Sequence, residues 1–303
     1  MMETSSQHPT RSITLHDAIC EFLVAKQVER LSKNTLESYT IVLGQFERFM
    51  GADIQINQIA IADIRNYLGS LTKAKPKTII NTHAVLSSLW TWAIGEGVCI
   101  EHIVRKIQPP KPDQLQVKPL SRDDVMKLMA AAEADDRAMV KALLLTMIDT
   151  GVRASEVTGL RIKDLKGSTI SVFGKGAKWR DVPLSRRTMQ ALIIYLDQRG
   201  PMSQKDPLFP SLESESGHEP MSRHGLLKLI YRLGRKAGVP DVHPHKFRHT
   251  FALNYLINGG DAISLQKLLG HTSLDMVKRY VNLANDNLQE IHQRASPVEN
   301  WKL

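Results

Sequence analysis

At 303 residues the chain is too long for one small core and fits two domains of ordinary size. Hydrophobic residues make up 42% and charged residues 23%, and no run approaches the roughly 18 apolar residues of a membrane span, so a soluble globular protein is expected. The net charge of +9 favours a polyanionic partner and is uneven, about +1 over residues 1–110 and about +8 over 111–303, which assigns most phosphate contacts to the second part if nucleic acid binds.

The opening MMETSSQHPTRS is polar and has no apolar core, so neither a signal peptide nor an anchor is expected and the expected compartment is the cytoplasm. Capping-box spacing at Thr14/Asp17 and Asn34/Glu37 predicts two helix starts. After Asn34, Leu36, Tyr39, Val42, Leu43, Phe46 and Phe49 recur at steps of three and four, as one buried helical face requires. Further helices fit Ile61–Leu71 and Lys77–Glu96, giving four helices around a small core. Cys20 and Cys99 sit in apolar-periodic segments with no metal-ligand spacing around them, and both read as reduced packing residues.

The segment KIQPPKPDQLQVKP at 106–119 holds four prolines and little apolar content, and reads as a linker. A second domain opens with another capping box, Ser121/Asp124, and continues with an apolar helix at Met139–Asp149. The run STISVFG, the break GKGAK and the run WRDVPL read as a β-hairpin. More helices follow, and Ser203–Pro220, rich in Ser, Glu, Pro and Gly, reads as a surface loop. Leu283, Leu288 and Ile291 form a short apolar stripe near the end of the chain.

Basic and aromatic groups of the second part fall at helix ends and turns: TGVRASE at 150–156, GKGAK at 174–178, HPHKFRHTFA at 243–252, LLGHTS at 268–273, and Tyr280. A phosphodiester under attack gains charge on its non-bridging oxygens. Two guanidiniums, Arg153 and Arg248, can clamp those oxygens while staying charged at any working pH. His245 and Arg248 are three apart on an apparent helix and face one ligand, with His245 able to bond the phosphate or exchange a proton with a nucleophile. His243 and His249 read as structural. A lysine at the hairpin tip can protonate a leaving oxygen, with Lys175 the first choice and Lys178 the competitor. No Asp/Glu cluster is arranged for magnesium, and a reaction free of metal, ATP and other cofactors is expected.

In order and spacing these motifs resemble those of the tyrosine recombinase (phage integrase) family, over nearly the whole chain, and NTLESYTIVLGQFERFM resembles its N-terminal DNA-binding domain. The resemblance implies a mainly α fold: an all-helical core-binding, SAM-like domain at 12–105, a linker at 106–118, and an α+β catalytic domain with a small β-sheet and a C-terminal tail at 119–303. It implies Tyr280, nine residues after His271, as the nucleophile. Arg153, His245, Arg248 and His271 become phosphate ligands, Lys175 the acid and Glu156 the support of Arg153. Tyr39, Tyr67, Tyr195, Tyr231 and Tyr255 are left as packing residues.

The family also implies double-stranded DNA with inverted-repeat core sites as partner and a homotetramer on DNA, with or without a second recombinase. Cleavage to a 3′-phosphotyrosine, a Holliday junction intermediate and docking of the tail on a neighbouring copy belong to the same picture. The chain looks like the short Xer-like members or mobile-element integrases, with the wording HPHKFRHTFA leaning to the latter. A decayed DNA-binding regulator is the rival from another class, and the complete set of basic residues speaks against it. A type IB topoisomerase shares the chemistry without the specific site.

Overall fold

A computed structural model of the chain describes residues 11–111, 118–135, 137–174, 178–214, 217–271, 273–284, 292–293 and 296–301. The chain divides into two compact units, Met1–Leu115 and Gln116–Leu303. It is mainly helical with one small antiparallel sheet. Among the described residues no helix is long and apolar enough to cross a membrane.

The first unit is built from four helices, α1 (Leu15–Val28), α2 (Lys33–Met50), α3 (Ile61–Ser70) and α4 (Pro76–Gly95). Thr14 caps α1 by accepting from the Asp17 amide at 3.1 Å. The second expected cap moves: Ser32, not Asn34, accepts from the Thr35 amide and α2 begins at Lys33. Serine caps as well as asparagine, and the earlier start lets Ser32 also meet the Thr35 hydroxyl at 2.8 Å. Pro76 opens α4 at a position that needs no amide donor.

Leu15, Phe22, Leu43, Phe46, Ile64, Leu86, Leu89 and Trp90 close the core of this unit, each worth about 1.5–3 kcal/mol of burial. Phe22 stacks on Tyr39 with centroids 5.5 Å apart. Cys99 is buried as expected, but Cys20 is exposed. Ala18, Ile19 and Phe22 take the inward face of α1, and Cys20 falls one position off that stripe.

The second unit opens with α5 (Arg122–Glu133), whose cap is reciprocal: the Ser121 hydroxyl accepts from the Asp124 amide and the Asp124 carboxylate from the Ser121 amide, both at 3.0 Å. Then come α6 (Ala138–Thr150) and the short α7 (Ala154–Gly159). The sheet follows, with β1 (Leu165–Lys166), β2 (Thr169–Gly174) and β3 (Lys178–Pro183) in sequence order and antiparallel. The hairpin register pairs Thr169 with Pro183 and Gly174 with Lys178. Helices α8 (Arg186–Arg199), α9 (Arg223–Ala237), α10 (Pro244–Ile257), α11 (Ala262–Leu269) and α12 (Asp275–Ala284) complete it, with a short helix at Pro297–Trp301.

Leu143, Leu144, Met147, Val172, Phe209 and Phe247 belong to the main core of this unit. A satellite cluster of Ala252, Leu265, Leu269, Val277 and Tyr280 joins α10, α11 and α12. The segment 203–220 is not merely a surface loop: Leu208 and Phe209 are buried in the main core. Tyr195 donates to the Leu208 carbonyl, and Arg199 holds the carbonyls of Pro207 and Gly217 at 2.6 and 2.7 Å. Its polar residues hid one apolar pair strong enough to anchor it. Tyr231 departs from the expected packing role, standing 64% exposed on α9. Leu283 is also exposed, and Leu288 and Ile291 of the expected stripe lie outside the described residues.

Candidate active site

The first turns of α10 set the basic groups. His243 precedes the helix and Pro244 opens it, so His245, Arg248 and His249 fall at i, i+3 and i+4 and share a face. Arg248 turns inward and is 4% exposed. Its Nη1 donates to the Gly151 carbonyl at 2.8 Å, and its Nη2 donates to the Leu269 carbonyl at 2.8 Å and to His271 Nε2 at 2.7 Å. A guanidinium can only donate, so Nε2 of His271 accepts and the ring proton sits on Nδ1. That Nδ1 is buried with no hydrogen-bond partner among the described residues.

The acceptor at Gly151 exists because α6 ends there in the left-handed conformation, φ +62°, which favours glycine. Space demands glycine as well: a Cβ at this position would stand 2.4 Å from Phe251 Cδ1 on α10. The chain then turns directly into α7, with Arg153 at its cap. Glu156, 6% exposed, accepts from the Arg153 amide and from Arg153 Nη1, both at 2.8 Å. Its other donors come from β3: Arg180 Nη1 bonds Oε1 at 3.0 Å and Nη2 bonds Oε2 at 2.8 Å. Arg180 Nε donates to the Leu268 carbonyl at 2.7 Å and so ties the hairpin to the end of α11.

Tyr280 on α12 is 5% exposed. Its hydroxyl lies 2.6 Å from Nδ1 of His249, with the rings 5.7 Å apart. Among the described residues this is the hydroxyl's hydrogen bond. His245 stands one turn before His249, exposed, with the two rings 6.4 Å apart.

Three guanidiniums face one carboxylate here, and the protonation equilibria record the imbalance. Burial pushes the Glu156 carboxyl up, but hydrogen bonds from Arg180 and the Arg153 amide outweigh it and hold the group at about 2. Burial, and then Arg153, bring Arg248 down to about 10. Burial followed by Arg248 and Arg153 presses His271 to about 4. His249 also falls to about 4, from burial and then His245 and His243. Desolvation, His243 and Arg248 lower His245. Burial raises the Tyr280 phenol, opposed by Arg248 and Arg279. Cations that depress one another in a partly buried site are stabilised together by an incoming anion.

The structure thus brings Arg153, Glu156, His245, Arg248, His271 and Tyr280 to one region around the ends of α10 and α11. Lys175 lies outside the described residues. Lys178 is the first residue of β3 and is exposed. Arg180 and His249 were not singled out as functional from the sequence. His249 carried a usable signal, one helical turn after His245 and next to Arg248. Arg180 carried none, because its partner Glu156 lies 24 residues away and only the hairpin register joins them. Among the described residues no group of three His, Cys, Asp or Glu is placed to hold a metal ion.

Comparison with known proteins gives two family matches, Phage integrase family over residues 118–287 and Phage integrase, N-terminal SAM-like domain over residues 19–98. The tyrosine recombinase XerC of Pelobacter propionicus is 31% identical over 296 residues, 93% of this chain and 96% of that protein. A XerA recombinase crystal structure is 28% identical and covers 93% of this chain and 98% of its own, with a TM-score of 0.51. A lambda integrase tetramer bound to a Holliday junction shares the fold at a TM-score of 0.73 and 20% identity, over 86% of this chain and 78% of that one.

Proposed function

The chain belongs to the phage integrase family of tyrosine recombinases, and from that premise we propose that Tyr280 cuts and rejoins duplex DNA at a specific site. The phenol oxygen attacks a phosphodiester, the 5′ oxygen leaves, and the protein holds the DNA as a 3′-phosphotyrosine. The bond energy is kept in that linkage, and attack by a 5′-hydroxyl from a second duplex reverses the step on a new partner.

The observation that carries this reading is one turn of α10, in which Arg248 reaches His271 while the next residue, His249, holds the Tyr280 hydroxyl. Arg153 and Arg248 clamp the non-bridging oxygens, each such donor being worth ~3 kcal/mol in the transition state. The buried Nδ1 proton of His271 is a further donor to the same oxygens, and His245 faces the phosphate from the first turn of α10. Glu156 fixes Arg153. Lys175, which lies between β2 and β3 in the sequence, protonates the leaving 5′ oxygen.

Four copies act on two inverted-repeat core sites in the cytoplasm through a Holliday junction, alone or with a second recombinase. The lambda integrase tetramer on such a junction supports this assembly. The test is Tyr280→Phe on a nicked suicide substrate: the variant binds the site as the parent does and forms no protein-linked band on a denaturing gel. A linked band from that variant removes Tyr280 from the role.

A further inference from the structure

We propose that His249 is a catalytic residue, the acceptor of the Tyr280 proton as the phenol oxygen attacks phosphorus. The proposal rests on the assignment of Tyr280 as nucleophile. Its ground is a contact: His249 Nδ1 lies 2.6 Å from the Tyr280 hydroxyl, and among the described residues no other group hydrogen-bonds that oxygen. His245, for which the sequence leaves open either a bond to the phosphate or proton exchange with the nucleophile, is a full turn away with its ring 6.4 Å from that of His249. A base must reach the proton it takes, and geometry selects His249.

The two partners are also held in place. Tyr280 belongs to the buried cluster of Ala252, Leu265, Leu269 and Val277, which fixes the phenol between α10, α11 and α12. His249 is part of α10, and its neighbour Arg248 is anchored at both ends of its guanidinium. A hydroxyl and an imidazole so placed lose little freedom on reaching the transition state.

The step balances without another reagent. The Oη–H bond breaks and its proton passes to Nδ1, the freed pair forms the Oη–P bond, and the P–O5′ bond breaks with the leaving oxygen protonated by the acid at the hairpin. In religation the imidazolium returns the proton to Oη as the Oη–P bond breaks. The groups facing His249 are His243 and His245 from its own side, Arg248 beside it, and Arg279 and Tyr280 from α12. Burial first, then His245, His243, Arg248 and Arg279, hold the free imidazole at about 4, so it is neutral and able to accept at pH 7. A weak base suffices because the phenol oxygen becomes strongly acidic only as its bond to phosphorus forms. The bound phosphodiester also offsets the cations that depress the imidazole.

The test is single-turnover cleavage of a nicked suicide site by the full chain, from pH 6 to 9, for the parent, His249→Ala, His249→Gln and Tyr280→Phe. His249→Ala is expected to bind the site unchanged and to cleave about 10²–10⁴-fold more slowly at pH 7, the range of general base catalysis. Its rate should climb close to tenfold per pH unit, because the phenol must now ionise unaided, while the parent stays nearly flat. Added imidazole should restore part of the Ala rate. His249→Gln keeps a hydrogen-bond acceptor without a base and should melt with the parent yet show the same steep profile, which covers the case in which the Ala variant folds poorly.

Parent-like cleavage and pH profile in the Gln variant overturn the proposal, since a hydrogen bond alone then suffices. Failure of the Tyr280 assignment looks different: Tyr280→Phe would itself form a covalent adduct.

Discussion

Glu156 and Arg180 meet as a fork, Nη1 on Oε1 at 3.0 Å and Nη2 on Oε2 at 2.8 Å, inside a site where Glu156 is almost wholly buried. The pair joins the β-hairpin to α7, and the same carboxylate takes two donors from Arg153. Both oxygens are thus saturated by charged or backbone donors. A carboxylate in this state resists protonation and anchors whatever its donors are attached to.

Folding stability should therefore depend on the ionised form of Glu156. Its pKa is about 2 in the folded chain against an ordinary value of 4.5. A depressed folded value means that the contribution, about 3 kcal/mol at the pH of the cell, is complete above 4.5 and fades as pH falls from 4.5 toward 2. Glu156→Gln should lose about 3–5 kcal/mol at pH 7 by leaving two guanidiniums without their counter-charge. Urea unfolding of parent and variant at pH 7, 5, 4 and 3 checks the sign: the gap between them narrows as the pH drops. A gap that stays constant across that range would show that charge is not what Glu156 supplies.

The two hairpin lysines separate by leaving-group chemistry. Lys178 begins β3 opposite Gly174, and Lys175 is three positions earlier at the break between the strands. Lys175→Ala should cleave an ordinary 5′-oxygen substrate at a small fraction of the parent rate, yet cleave a 5′-phosphorothiolate, whose sulfur leaves without a proton, at close to the parent rate. Lys178→Ala should lose little on either substrate. Rescue of the Lys178 variant instead would move the acid three positions along the chain, to Lys178.

What could be read from the chain and what could not divide along the length scale of the interactions. Periodicity and capping chemistry are local, and they located α3, α4, α6 and the start of α5 to within a residue or two, because a helix is decided by neighbours three and four positions away. The cap of α2 was misplaced by two positions because Ser32 and Asn34 are both good caps, and only the three-dimensional course of the chain chooses between them. The family resemblance pairs Glu156 with Arg153, and a spacing of three pairs His245 with Arg248. Arg180 could not, since its place beside Glu156 is set by strand register and by the approach of α11. The contact between His249 and Tyr280 spans 31 positions and depends on α10 packing against α12, a relation that no local pattern encodes.

Arg248 offers the sharpest separation of charge from geometry. Its guanidinium spans three acceptors on two elements, the Gly151 carbonyl at the end of α6 and the Leu269 carbonyl and His271 Nε2 at the end of α11. Arg248→Lys keeps the positive charge but presents its donors from a single nitrogen, which cannot reach both carbonyls. At least one buried acceptor is left unpaired at a cost of about 1–3 kcal/mol, so the melting temperature of the second unit should fall. Loss of this guanidinium from the proposed phosphate clamp, worth ~3 kcal/mol, should slow covalent cleavage about 10²-fold. Affinity for the DNA site should change far less, because counterion release depends on the charge and not on the shape of the group that carries it. Filter binding, a melting curve and suicide-substrate cleavage on one preparation measure all three quantities. Parent-like cleavage by Arg248→Lys would reduce the fork to a point charge and with it the geometric part of the clamp.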